Sequence, residues 1–314
     1  MILLMYEPVP DHLQKLKSIA PDHEIVTAFS EEEAQRLIEN AEIVLGNRYF
    51  LQSLPFAKKL SWMQSNSVGV DLILKEKQSL VDKSIILTCA RGVYDAELAE
   101  HTIALLLSLF RSIPVLRDEQ NKGIWQRHRL STLHGSQCLI VGWGSLGQKI
   151  ASLITALGGK VAGVRNQPDD SKEGEMMLYG SKNWRQQLPL TDALIICLPK
   201  TPETYHFIGK EELRALPTSA FVVNIGRGGT LDDMALLEAI QGGNLAGAAL
   251  DVFEEEPLPA THPIWKESKI FVSPHVGRSL EGPDFRWQPL FEQNLERYLR
   301  GEALLNVVNY QKGY

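Results

Sequence analysis

Cysteine is scarce in this chain: Cys89, Cys138 and Cys197 are the only three in 314 residues. They lie far apart, without the short spacings of a metal-binding set. Each falls in or beside an apolar strand-like run, so they read as buried thiols of a reducing compartment, and no metal site is expected. Runs of Lys or Arg are absent and the formal net charge is −6, which excludes the basic footprint of a nucleic-acid binder. Long apolar runs are absent too. The most apolar stretch, TIALLLSLF at 102–110, falls short of the roughly 20 residues a membrane span needs, and Glu100, His101 and Arg111 flank it. It reads as a buried helix. The opening MILLMYEPVP has no basic segment and reaches Glu7 too early for a secretion signal. With no short repeat and no low-complexity tract, the expectation is a cytoplasmic globular protein with neither a membrane nor a nucleic-acid partner.

The composition, 44% hydrophobic and 22% charged, suits a full-sized core, and the length suits one large or two ordinary domains. Short apolar runs alternate with helical patterns. ILLMY, EIVTA, EIVLG, SWMQSN and IILTCA read as strands, with DHLQKLKSIA and EEEAQRLIEN as amphipathic helices between them. Such alternation predicts a parallel sheet covered on both faces. A long helical stretch begins near residue 100, and a polar segment, DEQNKGIWQRHR, follows it. A second alternating set then starts near Gln137, with six strands: CLIVGW, KVAGV, ALIICLP, AFVVNIG, GAALDV and IFVSP. Six strands separated by helices suit a doubly wound nucleotide-binding sheet. The tail from FEQNLERYLRG reads as a further helix and an extended end.

Gly142, Gly144 and Gly147 form GWGSLG between the strand LIV and a helix pattern. The first glycine allows a tight turn, the second a close approach to a pyrophosphate, the third a close helix–strand contact. The helix N-terminus adds free N–H groups and partial positive charge. Strand before and helix after make this a dinucleotide fingerprint rather than a bare glycine motif. The second strand of such a site usually ends in an acid that holds the ribose 2′-hydroxyl. Here KVAGV ends in Arg165, with Asn166 next to it. An arginine attracts a 2′-phosphate, which predicts NADP, with NAD as the other possible cofactor. In the competing reading, Arg165 is a solvated cation and Asp169 or Asp170 folds back onto the ribose.

Three more segments sit just past strands of the same sheet, at the edge where doubly wound folds bind ligands. NIGRGGTLDD carries Arg227, LDVFEEEPLP carries Asp251 and Glu256, and FVSPHVGRS carries His275. Together with SVGVD at 67–71, AEHTIALLLSLFR at 99–111 and CLPKTPET at 197–204, in this order and spacing, they resemble the D-2-hydroxyacid dehydrogenases over nearly the whole chain. The chain is similar within that family to the glyoxylate/hydroxypyruvate reductase A branch.

The resemblance implies an α/β fold of two doubly wound parallel-sheet domains, a Rossmann cofactor domain at 99–284 inserted into a flavodoxin-like substrate domain made of 1–98 and 285–314. It implies a homodimer formed by the long helix and the arm after it. It places Arg227, Glu256 and His275 as the catalytic set, with Val68 and Gly69 offering backbone N–H groups, beside Arg227, to the substrate carboxylate. Cofactor contacts carry over to Ser145 and Leu146 beside the glycines, to Leu198, Pro199 and Thr204 in CLPKTPET, to Ile225, and to Asp251 for the nicotinamide amide. All are expected to meet across a gap between the domains.

The residue types suit reduction of a 2-keto acid. A nicotinamide supplies hydride. The planar fork of Arg227 fits a carboxylate beside a carbonyl and stabilises negative charge building on oxygen. His275 is the natural proton donor, oriented by Glu256. Glu254 and Glu255 read as solvated loop acids. The other seven histidines read as structural, His101 in the AEH segment being the exception to watch. Arg48 in GNRYF and Trp287 in RWQP are candidates for lining the pocket mouth, against the plainer readings of a solvated arginine and a core tryptophan. Formate dehydrogenases of this superfamily carry Gln at the position of Glu256, which argues against that activity. The chain stops soon after the last motif, which weighs against phosphoglycerate dehydrogenases with a regulatory domain. The leading expectation is an NADPH-dependent reductase of glyoxylate or hydroxypyruvate. The alternatives are an NAD-dependent D-2-hydroxyacid or phosphoglycerate dehydrogenase, a reductase of branched or aromatic keto acids, and a dinucleotide-sensing corepressor like the C-terminal binding proteins.

Overall fold

A computed structural model describes the chain except for residues 168–169, 174–175 and 279–283. The chain divides into two compact units, Met1–Tyr94 with Leu280–Tyr314, and Asp95–Ser279. A junction at 98–99 would fall inside the helix Asp95–Phe110. That helix packs as one piece on the second unit, so the chain changes unit between Tyr94 and Asp95 instead.

The first unit is built on a parallel sheet of five strands: β1 (Ile2–Leu4), β2 (Ile25–Thr27), β3 (Ile43–Leu45), β4 (Trp62–Gln64) and β5 (Ile86–Thr88), in the order β2-β1-β3-β4-β5. Every residue of β1, β3 and β4 is buried, as expected of strands covered on both faces. Helices Pro10–Ile19 and Glu31–Ile38 fall where the amphipathic patterns put them. The second begins with the Ser30 side chain accepting the Glu33 N–H, and three glutamates sit at its positive end.

The C-terminal helix Gln288–Leu299 completes this unit through buried polar bonds. Asn294 donates to Gln64 Oε1 at 2.7 Å and to Leu305 O at 3.1 Å. The Tyr6 hydroxyl meets His12 Nε2 at 2.8 Å, and His12 Nδ1 meets Glu292 at 2.8 Å. Burial holds the His12 imidazole below its ordinary pKa despite Glu292, so the relay joins the two chain segments with a neutral ring. Trp287 is 6% exposed and packs edge-on against Tyr6 at 4.6 Å. It is a core residue of this unit and not a side chain at a pocket mouth.

The second unit carries an eight-stranded sheet: β6 (Gln137–Val141), β7 (Lys160–Val164), β8 (Ser171–Glu173), β9 (Met176–Tyr179), β10 (Ala193–Ile196), β11 (Phe221–Asn224), β12 (Gly247–Leu250) and β13 (Ile270–Val272). The order is β13-β12-β11-β10-β6-β7-β9-β8, parallel except for the last pair. The six strands read from sequence are present, and β8 and β9 add a hairpin beyond β7. SKE in β8 is short, polar and at the sheet's edge, so it carries no hydrophobic period to read.

Alternate residues of the central strands enter two separate cores. Leu139, Val141, Leu194, Ile196, Val222 and Leu250 face one side, with Trp184, Leu213 and Leu236. Cys138, Ile140, Ile195, Val223 and Ala249 face the other, under helices Asp95–Phe110 and Ser145–Ala156. This period of two is the strand geometry that places every C-terminal strand end on one edge. Leu105, Leu106, Leu109 and Phe110 are buried here, as the core reading of TIALLLSLF requires. Among the described residues no single helix is long and apolar enough to cross a membrane. Cys89 and Cys138 are buried and Cys197 partly so, all free, and no described group of His, Cys, Asp and Glu could hold a metal ion.

Candidate active site

The site grows from the glycine turn between β6 and the helix Ser145–Ala156. Gly142 has φ +112, and a Cβ there would lie 2.7 Å from Cys197 O. A Cβ on Gly147 would lie 2.3 Å from Gly142 O, so the first turn of the helix needs a glycine where it meets the turn. Gly144 differs: it is exposed, and nothing lies within 4 Å of an added Cβ. It is also the helix N-cap and supplies no side chain to the first-turn N–H groups. Those donors have no capping side chain and the space at Gly144 is open, which suits the cradle a pyrophosphate requires.

Arg165 follows β7. Its backbone is tied to the hairpin through Tyr179 O at 3.2 Å. Its Nε is buried and has no hydrogen-bond partner among the described residues. Asp170 is engaged elsewhere: one oxygen accepts the Gly180 N–H at 2.9 Å, the other the Asn183 amide at 3.2 Å. It closes the hairpin rather than standing over the turn. Asp169 lies outside the described residues.

Arg227 follows β11 in a loop squeezed on both sides. A Cβ on Gly226 would sit 2.6 Å from Leu198 O, and one on Gly228 would sit 1.6 Å from Phe253 O. Only glycines let the arginine's backbone pass between the loops after β10 and β12. Arg227 is half-buried, its carbonyl accepts the Thr230 hydroxyl at 2.6 Å, and its Nη1 donates to Gly226 O at 2.9 Å.

Beyond β13, His275 takes a left-handed backbone with φ 54, which costs a non-glycine residue roughly 1–2 kcal/mol. Its Nδ1 lies 2.7 Å from Glu256 Oε2, and Glu256 Oε1 accepts the Phe253 N–H at 2.9 Å. The carboxylate accepts a hydrogen bond from Nδ1–H and so favours that tautomer, which leaves Nε2 as the atom that exchanges protons. The imidazole is half exposed, at 49%, as a group that meets a ligand must be. Glycine turn, arginine loop and imidazole–carboxylate pair therefore stand on one edge of one sheet.

The NAD binding domain profile of the D-isomer specific 2-hydroxyacid dehydrogenases matches residues 103–277, more than half of the chain. The chain belongs to this family. Its relatives include the glyoxylate reductase of Thermofilum pendens, 30% identical over 289 residues, covering 89% of this chain and 85% of that protein. The D-3-phosphoglycerate dehydrogenase of Methanocaldococcus jannaschii is 29% identical over 98% of this chain, which spans 59% of that relative's length. A D-isomer specific 2-hydroxyacid dehydrogenase family protein from Aeromonas salmonicida superposes with a TM-score of 0.84 at 31% identity, with 98% of each chain covered.

The remaining positions carried over from the family have varied settings. Ser145 is exposed and Leu146 half-buried in the helix's first turn. Leu198 and Pro199 are half-buried on the loop after β10. The Thr204 hydroxyl donates to Pro199 O at 2.7 Å and accepts the Thr201 N–H at 2.8 Å, so it shapes that loop. Ile225 is 4% exposed and belongs to the core beneath the turn. Val68 and Gly69, in the first unit, follow β4 in a half-buried bend held by Ser65 Oγ, which accepts the Ser67 N–H at 3.1 Å. Arg48 is exposed, with its guanidinium 5.3 Å from the Tyr49 ring centre.

Asp251, just past β12, is 1% exposed and heavily bonded. Oδ1 accepts from the Ser273 hydroxyl at 2.6 Å and the Val276 N–H at 3.0 Å, Oδ2 from the Gly277 N–H at 3.1 Å, and His101 Nε2 stands 3.3 Å from Oδ1. Burial by itself would raise its pKa, but bonds from His101, Ser273 and Val276 outweigh it and hold the carboxyl below its ordinary value.

Two features escape a reading of the sequence. Trp143, in the middle of the glycine motif, lies on β7: a Cβ at Gly163 would sit 2.1 Å from its ring, and its Nε1–H reaches Glu173 of β8 at 2.8 Å. The hairpin is thereby latched to the turn. Glu254, expected as a solvated acid, accepts the Tyr205 hydroxyl at 2.6 Å and meets His206 Nε2 at 3.0 Å, which lowers its pKa. Its N–H donates to Asp233, a carboxyl that burial pushes up to about 6. These bonds brace the loop carrying Glu256 against the loop after β10. Their partners are remote in sequence, so no local spacing announces them.

Proposed function

We propose that this protein is an NADPH-preferring reductase of small 2-keto acids, of the glyoxylate or hydroxypyruvate class, yielding D-2-hydroxy acids. The observation that carries this reading is the 2.7 Å His275–Glu256 pair on the same sheet edge as Arg227 and the glycine turn. The family and the Thermofilum glyoxylate reductase support the coarser part of this reading, a dehydrogenase or reductase of 2-hydroxy and 2-keto acids.

Gly144 and the first turn of Ser145–Ala156 would hold the pyrophosphate of a nicotinamide dinucleotide, which would supply the hydride. Arg227 holds the substrate carboxylate through its fork and polarises the neighbouring carbonyl. His275 delivers a proton from Nε2 to the carbonyl oxygen as negative charge develops there, while Glu256 keeps the ring's other nitrogen engaged. Asp251 is the proposed acceptor for the carboxamide.

Preference for NADPH rests on Arg165, whose buried Nε lacks a described partner while Asp170 is committed to the hairpin. Steady-state assays of a panel of 2-keto acids with NADPH and NADH test both halves of the reading. For Arg165→Asp, loss of a charge-assisted phosphate contact worth ~2 kcal/mol lowers the NADPH-over-NADH ratio by about 30-fold. An unchanged ratio removes the phosphate role. Reduction of none of the keto acids with either cofactor removes the function. The phosphoglycerate dehydrogenase relative makes 3-phosphohydroxypyruvate a necessary member of the panel.

The assembly proposed is a homodimer. Trp125 is 96% exposed, with Ile113 at 50% and Ile124 at 47% on the same arm, an apolar display that a second copy of the chain would cover. Light scattering on Ile124→Ser/Trp125→Ser is expected to show the dimer mass falling toward the monomer. A wild-type mass already monomeric overturns the assembly.

A further inference from the structure

The loop that presents His275 is clamped from behind, and the clamp ends on a histidine outside the catalytic set. Asp251 grips the loop on both sides of His275: through Ser273 two residues before it, and through the N–H groups of Val276 and Gly277 immediately after it. These bonds hold the left-handed turn at His275, with φ 54, in a single shape. His101, on the helix Asp95–Phe110, supplies the last donor. Its Nε2 is 3.2 Å from Ser273 Oγ and 3.3 Å from Asp251 Oδ1. Since the Ser273 hydroxyl donates to Asp251, its oxygen is left to accept from His101, and one Nε2–H serves both acceptors.

The fit around this contact leaves no slack. A Cβ on Gly277 would stand 3.0 Å from Asp251 Oδ2, 3.0 Å from Leu98 and 3.2 Å from the His101 ring, so the loop lies directly on the helix. Asp251 is a buried carboxylate, and a buried carboxylate that loses a donor turns toward other partners.

We propose that His101 is a positioning residue for the reaction: through Ser273 and Asp251 it sets the placement of the His275 imidazole without touching substrate. This rests on the proposed reductase function. Misplacing a proton donor by a fraction of a bond length slows the chemical step more than it weakens binding.

The test compares His101→Ala, His101→Gln and Ser273→Ala in the full chain. Gln brings an amide N–H to the place of Nε2, Ala does not. His101→Ala is expected to lower kcat about 10- to 100-fold, with KM for the keto acid within about twofold of wild type. His101→Gln restores most of the rate, and Ser273→Ala resembles His101→Ala. Amide exchange at Val276 and Gly277, read in the same proteins, is expected to quicken about fivefold in His101→Ala and to recover in His101→Gln.

Wild-type kcat in His101→Ala overturns the proposal, as does a His101→Gln no better than Ala. If His101→Ala fails to fold, His101→Gln and Ser273→Ala still decide: fast turnover in Ser273→Ala sinks the clamp. A wild-type protein inactive on every keto acid sinks the reductase reading, while unchanged exchange in His101→Ala sinks the clamp by itself.

Discussion

His275→Ala is expected to lower kcat for keto-acid reduction by about 10²- to 10⁴-fold, the range a single general acid contributes. The imidazole is half exposed and its one described side-chain partner is Glu256, so its removal takes away a proton donor and little packing. NADPH affinity should stay near wild type, because the glycine turn and Arg165 lie on loops after β6 and β7, not after β13. Alanine is strained in the left-handed backbone at this position, whereas asparagine accepts it more readily. His275→Asn therefore separates the two effects: an equal loss in both variants identifies the imidazole, and a loss confined to alanine identifies the backbone. Stopped-flow turnover beside fluorescence titration of NADPH makes the measurement. Turnover retained in His275→Asn would falsify the assignment of the proton donor.

Arg227→Ala is expected to reduce kcat/KM for the keto acid by about 10²- to 10³-fold, the effect of removing one side of a desolvated charge pair worth ~3–4 kcal/mol. The loop itself should survive, because Gly226 and Gly228 pack closely against the loops after β10 and β12, although the bond from Nη1 to Gly226 O is lost. Arg227→Lys keeps the charge but loses the fork and should recover only part of the rate. A KM and kcat both near wild type in Arg227→Ala would show that the carboxylate is gripped elsewhere. Loss of thermal stability matching the loss of activity would show that Arg227 is structural.

The elements legible in the sequence are those whose cause is local. Apolar runs such as LIV and FVV mark buried parallel strands because both of their faces are covered. Gly142 and Gly147 mark a turn because a Cβ at either would meet backbone. Arg227, Glu256 and His275 stand out as candidates because the loops that carry them follow strands of known direction. The hairpin β8–β9 was missed because an edge strand of Ser171, Lys172 and Glu173 buries too little to show a period. Glu254 is an exposed loop acid, but its bonds are not legible for a different reason: its partners Tyr205 and His206 lie 49 and 48 residues away.

By itself the sequence determined the two alternating strand sets, the dinucleotide turn and the side chains that follow the strand ends, since backbone sterics and burial act over a few neighbouring residues. Only the tertiary structure decided what those side chains bond to. It turned Asp170 into a hairpin tie, put Trp287 in a core, and joined His101 to Ser273 across 172 residues of chain. Hydrogen bonds of that kind depend on positions in space that no spacing along the chain encodes, because the packing of whole helices and strands sets them.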